Sequence, residues 1–326
     1  LSLEPAPRRG RRFLNPDGTA AGQPFTRLPR LLLERGGVPW PERVENASWP
    51  FPAVGPGEVL VTYVGHASFL IRTAGLALLT DPIWSDRASP LSWWGPRRVR
   101  APGLAFAALP PIDAILLSHA HYDHMDRPTL EALHRRDRPL IVTGLGNDRT
   151  LARWGIGAAR ALDWGEAAEL PRGARATFLP ARHFSARGPH DHSRCLWGGF
   201  ALELPGGFRL CFLGDTAWGA HLAAIGDACG PFDLALIPIG SYHPRWFMQV
   251  VHMTPEEAVR AQVSLHARTA LAMHHSVFRL TGEAMEEPGQ RLLAARGQQD
   301  FRLPEVGETV RFGTGGVETG LASPLA

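Results

Sequence analysis

The 326-residue chain contains no lysine, and all 34 of its basic residues are arginine. Schiff-base chemistry and the phosphate-gripping lysine of nucleotide-binding loops are therefore excluded. Cysteine is scarce too. Cys195, Cys211 and Cys229 are odd in number and show no Cys-x-x-Cys spacing. They argue against a disulfide framework and read as buried thiols in a reducing compartment. No apolar run approaches the ~18 residues of a membrane span, and no secretory pattern stands out. No Gly-x-Ser-x-Gly marks a serine nucleophile, and no cysteine sits in a nucleophilic context. These absences set the expectation of a cytoplasmic protein, with peripheral contact to a membrane left open. A homodimer is left open as well.

Hydrophobic residues make up 44% of the chain, enough for a large core in a single folded unit. A formal net charge of +3 permits anionic partners without demanding them. Nucleic acid is not expected as a partner. Residues 1–56 are rich in Pro, Gly and Arg, with a basic cluster at Arg8, Arg9, Arg11 and Arg12. They read as an arm that wraps or docks, ahead of a folded unit over 57–326. Within the arm, residues 25–35 suit a short amphipathic helix ended by Gly36-Gly37. It would dock at a membrane surface or a partner, or pack on the body of the same protein. Residues 83–111 are irregular and carry Trp84, Trp93 and Trp94 beside Arg97 and Arg98.

Short apolar runs over 59–64, 68–72, 76–80, 112–117 (broken only by Asp113), 140–143, 176–179, 199–204, 208–213, 234–239 and 269–273 predict strands. Residues 128–136 and 148–154 predict helices. Thr254-Pro255-Glu256-Glu257 predicts a helix start, with Thr as N-cap, Pro at N1 and Glu at N3.

The organising stretch is Ser118-His119-Ala120-His121-Tyr122-Asp123-His124-Met125-Asp126, directly after an apolar run. Neutral imidazoles offer lone pairs to a metal and Asp offers a hard oxygen. His119 and His121 lie two apart and point the same way in an extended backbone. Asp123 and His124 diverge, which suits a second ion close by. Asp81, His183, Asp215 and His274-His275 each follow another predicted strand. A sheet whose strand ends share one edge gathers them into one pocket. Asp215 is then the natural bridging carboxylate. His274 and His275 point to opposite faces, so at most one of them ligates. His66, in a turn between strands, could reach the same rim.

This arrangement resembles the metallo-β-lactamase superfamily, with its His-x-His-x-Asp-His signature followed by His, Asp and His. Leu79-Thr80-Asp81-Pro82-Ile83, Leu196-Trp197-Gly198, Gly214-Asp215-Thr216, Ile237-Pro238-Ile239-Gly240 and Pro244-Arg245-Trp246-Phe247-Met248 narrow the likeness to the N-acyl-phosphatidylethanolamine-hydrolysing phospholipase D family. The likeness covers about residues 58–300. It implies an α/β protein with an αβ/βα four-layer sandwich: two mixed sheets with helices outside, binding two Zn2+ or another divalent metal. It assigns His119, His121 and His183 to one ion and Asp123, His124 and His274 to the other. Asp215 bridges them, with Asp123 and Asp215 counted as catalytic, and Asp81 orients a metal-bound histidine. It implies a phosphodiester hydrolase of phospholipase D type, cutting N-acyl-phosphatidylethanolamine or a related phospholipid to phosphatidate and an N-acylethanolamine. The alternative is a metal-dependent hydrolase of soluble small molecules, a lactonase or small phosphodiesterase. Tyr242, His243 and His252 are candidates to assist the leaving group, and Arg245 is a candidate substrate contact. The chain departs from the family at His243, where an acidic residue is usual, and at His275-Ser276-Val277, where an aromatic-Gly-Thr run is usual.

Overall fold

Four-residue apolar runs such as Ala114-Ile115-Leu116-Leu117 have no polar face, so a strand built from one must be covered on both sides. The computed structural model shows how. It describes residues 3–33, 36–157, 159–313 and 318–321. Two short strands, β1 (Arg8–Arg9) and β2 (Arg12–Phe13), come first, then a 3-10 turn at Phe25–Arg27 and α1 (Leu28–Leu33). Next come β3 (Val59–Gly65), β4 (Ser68–Thr73), β5 (Leu76–Thr80), β6 (Ala114–Leu117), α2 (Arg127–Asp137), β7 (Leu140–Gly144), α3 (Asn147–Arg153) and β8 (Ala159–Leu162). A second series follows: β9 (Ala167–Glu169), β10 (Arg175–Leu179), β11 (Gly199–Glu203), β12 (Arg209–Phe212), α4 (His221–Cys229), β13 (Phe232–Pro238), α5 (Arg245–Met248), α6 (Pro255–Ser264), β14 (Ala267–Met273), α7 (Glu287–Ala295) and β15 (Phe301–Arg302). The chain then returns to the first sheet through β16 (Thr309–Phe312) and β17 (Glu318–Leu321).

One sheet has the order β17-β16-β3-β4-β5-β6-β7-β8 and the other β15-β14-β13-β12-β11-β10-β9. Both are mixed in the same way. Pairings from β17 to β5 are antiparallel and those from β5 to β8 parallel. Pairings from β9 to β12 are antiparallel and those from β12 to β15 parallel.

Period-two alternation splits each strand between two cores. Ala114 and Leu116 face the layer between the sheets, with Phe178, Phe200, Leu234 and Leu236. Ile115 and Leu117 face Leu130 and Leu133 of α2 and Leu151 of α3. Ala235 and Ile237 face Leu222 of α4, Ala258 of α6 and Leu292 of α7. The result is helix, sheet, sheet, helix. Each buried Leu or Phe side chain contributes about 1.5–3 kcal/mol. α6 starts at a capping box: Thr254 Oγ1 accepts from the Glu257 N–H at 3.3 Å, and Glu257 Oε2 accepts from the Thr254 N–H at 2.9 Å. Such a cap is worth ~1 kcal/mol.

The N-terminal residues lie along the body. The Ala6 N–H donates to Asp163, the Phe13 N–H to the Ser193 carbonyl, and Arg182 to Asp17. Gln23 donates to the Phe247 carbonyl, and the Arg30 guanidinium sits 4.2 Å over the Trp246 ring. Of the helix expected over 25–35, residues 34 and 35 lie outside the described residues. The rest packs beside α5. No helix among the described residues is long and apolar enough to cross a membrane. The three cysteines are free thiols.

In doubly layered sheets the pocket lies off the carboxyl ends of the parallel strands. Here Asp81 follows β5, Ser118 to His124 follow β6, Asp215 follows β12 and His274 follows β14. His183 follows β10 and His66 follows β3 on the same rim.

Candidate metal centre

Tight backbone turns place these side chains. His66, Asp81 and His274 all take left-handed φ values, of 59°, 30° and 61°. Such conformations cost a non-glycine residue of order 1–3 kcal/mol each and cluster where function over-determines the backbone. Gly214, at φ 60°, lets the chain turn into Asp215. A Cβ there would stand 2.7 Å from both the Gly198 carbonyl oxygen and Ser118 Cβ.

Asp81, fully buried, organises the loop after β6. Its Oδ1 accepts from the Ser118 N–H at 2.7 Å, and its Oδ2 accepts from Ser118 Oγ–H at 2.5 Å and from His124 Nδ1–H at 2.7 Å. Ser118 Oγ has then spent its hydrogen, so it accepts from His119 Nδ1–H at 2.8 Å. His183 Nδ1–H donates to the Val251 carbonyl at 2.9 Å. In each case the acceptor holds the hydrogen on Nδ1, and Nε2 faces the pocket; for His119 and His183, both kept neutral, it presents a bare lone pair.

The donor atoms meet in two groups. His119 Nε2 is 2.8 Å from His121 Nδ1, and His183 Nε2 is 3.2 Å from the same atom. The second group is His66, Asp123, His124 and His274, whose donor atoms lie within 4.8 Å of one another. Asp123 Oδ2 is 3.2 Å from His124 Nε2 and 3.4 Å from His274 Nε2. Asp215 joins the groups. Its Oδ2 lies 3.0 Å from His274 Nε2, 3.2 Å from His124 Nε2, 3.7 Å from His183 Nε2 and 4.0 Å from His119 Nε2.

Charge differs between the groups. Burial and the neighbouring imidazoles push His119 well below the ordinary range, and His121 down to about 3. Burial brings His183 to about 4 against the pull of Asp215. In the second group burial works against the charged imidazole of His274, but Asp215 and Asp123 overcome it and hold the group at about 9. His124 is raised well above its usual value by the same two carboxylates, also against burial. Both carboxyls are held well below the usual carboxylate range, because the facing imidazoles outweigh burial.

The residues fit a cation. Several buried polar atoms have no hydrogen-bond partner among the described residues: His124 Nε2, His274 Nε2 and Asp215 Oδ1. Orphans of this kind call for a missing partner. In the first group, two bare lone pairs face one His121 nitrogen, and a single proton there cannot serve both. A divalent ion accepts all three. Imidazole and carboxylate are the donors that zinc and similar metals take.

Of the residues singled out from sequence, the structure gathers His119, His121, Asp123, His124, His183, Asp215 and His274, with Asp81 and His66 behind them. It also brings in His252, buried, whose Nε2 is 4.0 Å from Asp215 Oδ2 and which groups with His183 and Asp215. The sequence offers His252 as a candidate to assist the leaving group; in the structure Arg245 grips both Glu257 carboxylate oxygens at 2.7 Å and donates to the His252 carbonyl at 2.8 Å. Arg245 therefore holds the His252 backbone. Tyr242 Oη–H donates to Glu287 at 2.8 Å, and His243 is exposed; neither belongs to the gathered donors. His275 turns away from His274 and stacks on Tyr63, ring centroids 6.1 Å apart.

Residues 77–275 match the family model described as the beta-lactamase superfamily domain. An uncharacterised protein of Mycobacterium tuberculosis is 38% identical over 258 residues, 76% of this chain and 68% of that protein. The N-acyl-phosphatidylethanolamine-hydrolyzing phospholipase D 1 of Caenorhabditis elegans is 33% identical over 308 residues, 87% of this chain and 86% of that protein. Among solved structures, a metallo hydrolase of Ignicoccus hospitalis shares the fold with TM-score 0.59 at 24% identity, over 78% of this chain and 98% of that one. The chain belongs to the metallo-β-lactamase superfamily, as a metal-dependent hydrolase with relatives among the N-acyl-phosphatidylethanolamine-hydrolysing phospholipases D.

Proposed function

We propose that the protein is a dinuclear zinc phosphodiesterase of phospholipase D type, acting on N-acyl-phosphatidylethanolamine or a closely related phospholipid. The observation that carries this reading is Asp215, whose Oδ2 reaches imidazoles of both donor groups. A shared carboxylate between two such groups is what a two-ion site requires. His119, His121 and His183 hold one ion; Asp123, His124 and His274 hold the other. When bound, the ions supply Lewis acidity and a water of lowered pKa.

The chain's own residues then orient and exclude. Asp215 and Asp123 fix the position from which water attacks. The oxygen of water bonds to phosphorus, and the bond from phosphorus to the ethanolamine oxygen breaks. A proton passes to that oxygen, leaving phosphatidate and an N-acylethanolamine. His252 is kept neutral by burial, well below its usual range, and its Nε2 faces Asp215. Neutral, it holds no spare proton of its own, so it acts by taking the proton released from water and passing it to the leaving oxygen.

Support for a lipid substrate comes from the C. elegans relative, matched over most of both chains, and from the loop after Asp81. That loop closes with Ala88 N–H to the Pro96 carbonyl and Arg98 N–H to the Asp86 carbonyl. Its tip exposes Leu91, Trp93 (73%) and Trp94 (65%). Exposed tryptophans of this kind sit well at a lipid head-group layer.

The test is a substrate panel with measured metal content. N-acyl-phosphatidylethanolamine vesicles, phosphatidylethanolamine vesicles, a soluble phosphodiester and a lactone are offered to the purified protein. Release of N-acylethanolamine from the first is expected, together with weaker vesicle flotation for Trp93→Ser/Trp94→Ser. Turnover of the soluble esters alone would replace the phospholipid reading.

A further inference from the structure

We propose that His66 is a positioning residue that makes the second ion's site, by holding two of its three donors in place. The inference rests on the two-ion reading above and adds to it a residue outside the ligand set.

His66 Nε2 lies 2.9 Å from Asp123 Oδ2. Asp123 is ionised and can only accept, so the imidazole donates. The hydrogen bond fixes the plane of the carboxylate as it faces His124 and His274. The main chain of the same residue acts on His274: the His66 carbonyl accepts from the His274 N–H at 2.8 Å, and the two rings sit 4.1 Å apart. One residue thus clamps a carboxylate by its side chain and an imidazole by its backbone.

A packing role alone does not account for a histidine here. The ring meets Phe278 edge-on, with centroids 5.3 Å apart, a contact that phenylalanine would make equally well. Imidazole at this place has costs that phenylalanine would avoid. His66 Nδ1 is buried without a hydrogen-bond partner among the described residues, and burying an unpaired polar atom is unfavourable. What the imidazole adds is the bond to Asp123. Metal ligands elsewhere in the site are supported in the same manner: Asp81 holds His124, Ser118 holds His119, and the Val251 carbonyl holds His183. His66 completes that outer set for Asp123.

The full chain, stripped of metal, would be titrated with cobalt(II), following ion count by elemental analysis and the visible absorption of each bound ion. His66→Phe keeps the packing and loses the donor. His66→Gln returns an N–H near the Nε2 position. His66→Asn, whose shorter amide cannot reach Asp123, is a further loss variant should the Phe protein not fold. The wild type is expected to take two ions. His66→Phe should keep the first at full affinity and bind the second about 10–100-fold more weakly, and His66→Gln should recover most of that loss. Two ions bound by His66→Phe as tightly as by the wild type would overturn the inference. So would a Gln protein as weak as the Phe protein, which would make the imidazole a direct ligand. A wild type that takes only one ion would instead defeat the two-ion reading, and this inference with it.

Discussion

The two donor groups are assembled on opposite electrostatic terms. Around His119, His121 and His183 every donor is a neutral imidazole, and two of the three are fixed by uncharged acceptors, Ser118 Oγ and the Val251 carbonyl. Around His124 and His274 the imidazoles face Asp123 and Asp215 at 3.0–3.4 Å, and the buried ring of His274 is held in its charged form. Burial alone would neutralise all of them. The difference is the second carboxylate: Asp215 reaches both groups, whereas Asp123 serves one. The first group is therefore a ready set of lone pairs. The second is a set of ion pairs in which protons stand where a metal would. Buried pairs of this type are tolerated because each charge is matched.

Removing the residue common to both groups tests the comparison most severely. Asp215→Asn should lower kcat by ~10²-fold or more, if the carboxylate is worth one preorganised electrostatic contact. Elemental analysis should show weaker retention of both ions. Near-full activity, or loss confined to one ion, would break the picture of a shared carboxylate. A smaller and lopsided effect is expected from Asp81→Asn. Its amide would present hydrogens to His124 Nδ1–H and Ser118 Oγ–H, which now donate to Asp81 Oδ2. The second ion should weaken by about 10–100-fold. The first should weaken less, since Asp81 reaches His119 only through Ser118. Equal weakening, read by stepwise metal titration, would mean that the groups are not supported separately.

Much of this was legible in the residues. Continuous apolar runs marked strands covered on both faces, and the polar residues directly after them marked one rim. Asp81, the 119–124 cluster, His183, Asp215 and His274 all stand at that boundary, so one rule found them. His252 obeys no such rule. It lies in the loop between α5 and α6, and it joins the site only because the Val251 carbonyl meets His183 and Arg245 holds the next carbonyl. Tyr242 and His243 illustrate the converse: closeness in sequence to a family block carried them into consideration, and the fold turns them toward Glu287 and solvent. His66 was legible as a turn histidine able to reach the rim, but not as the partner of a particular donor. Its partner, Asp123, is 57 positions away, and no local spacing encodes that pairing. The helix start at Thr254 was plain because a capping box is written in four consecutive residues.

The mildest expected effect concerns protons. In the metal-free protein the His274 imidazole holds its proton up to about pH 9, while His121 and His183 stay neutral down to about pH 3 and 4. At pH 7.5 an ion entering the first group displaces no proton from its imidazoles. An ion entering the second must displace at least the one on His274. Affinity at the second group should therefore fall as pH drops below 9, about tenfold per unit for each proton displaced. Affinity at the first group should hold level until far more acidic conditions. Calorimetric titration of the stripped protein in buffers of different ionisation heat reads proton release directly. Release accompanying the second ion alone is expected. Equal release at both steps would mean that the two groups carry the same charge before loading, and that the carboxylates do not divide the site.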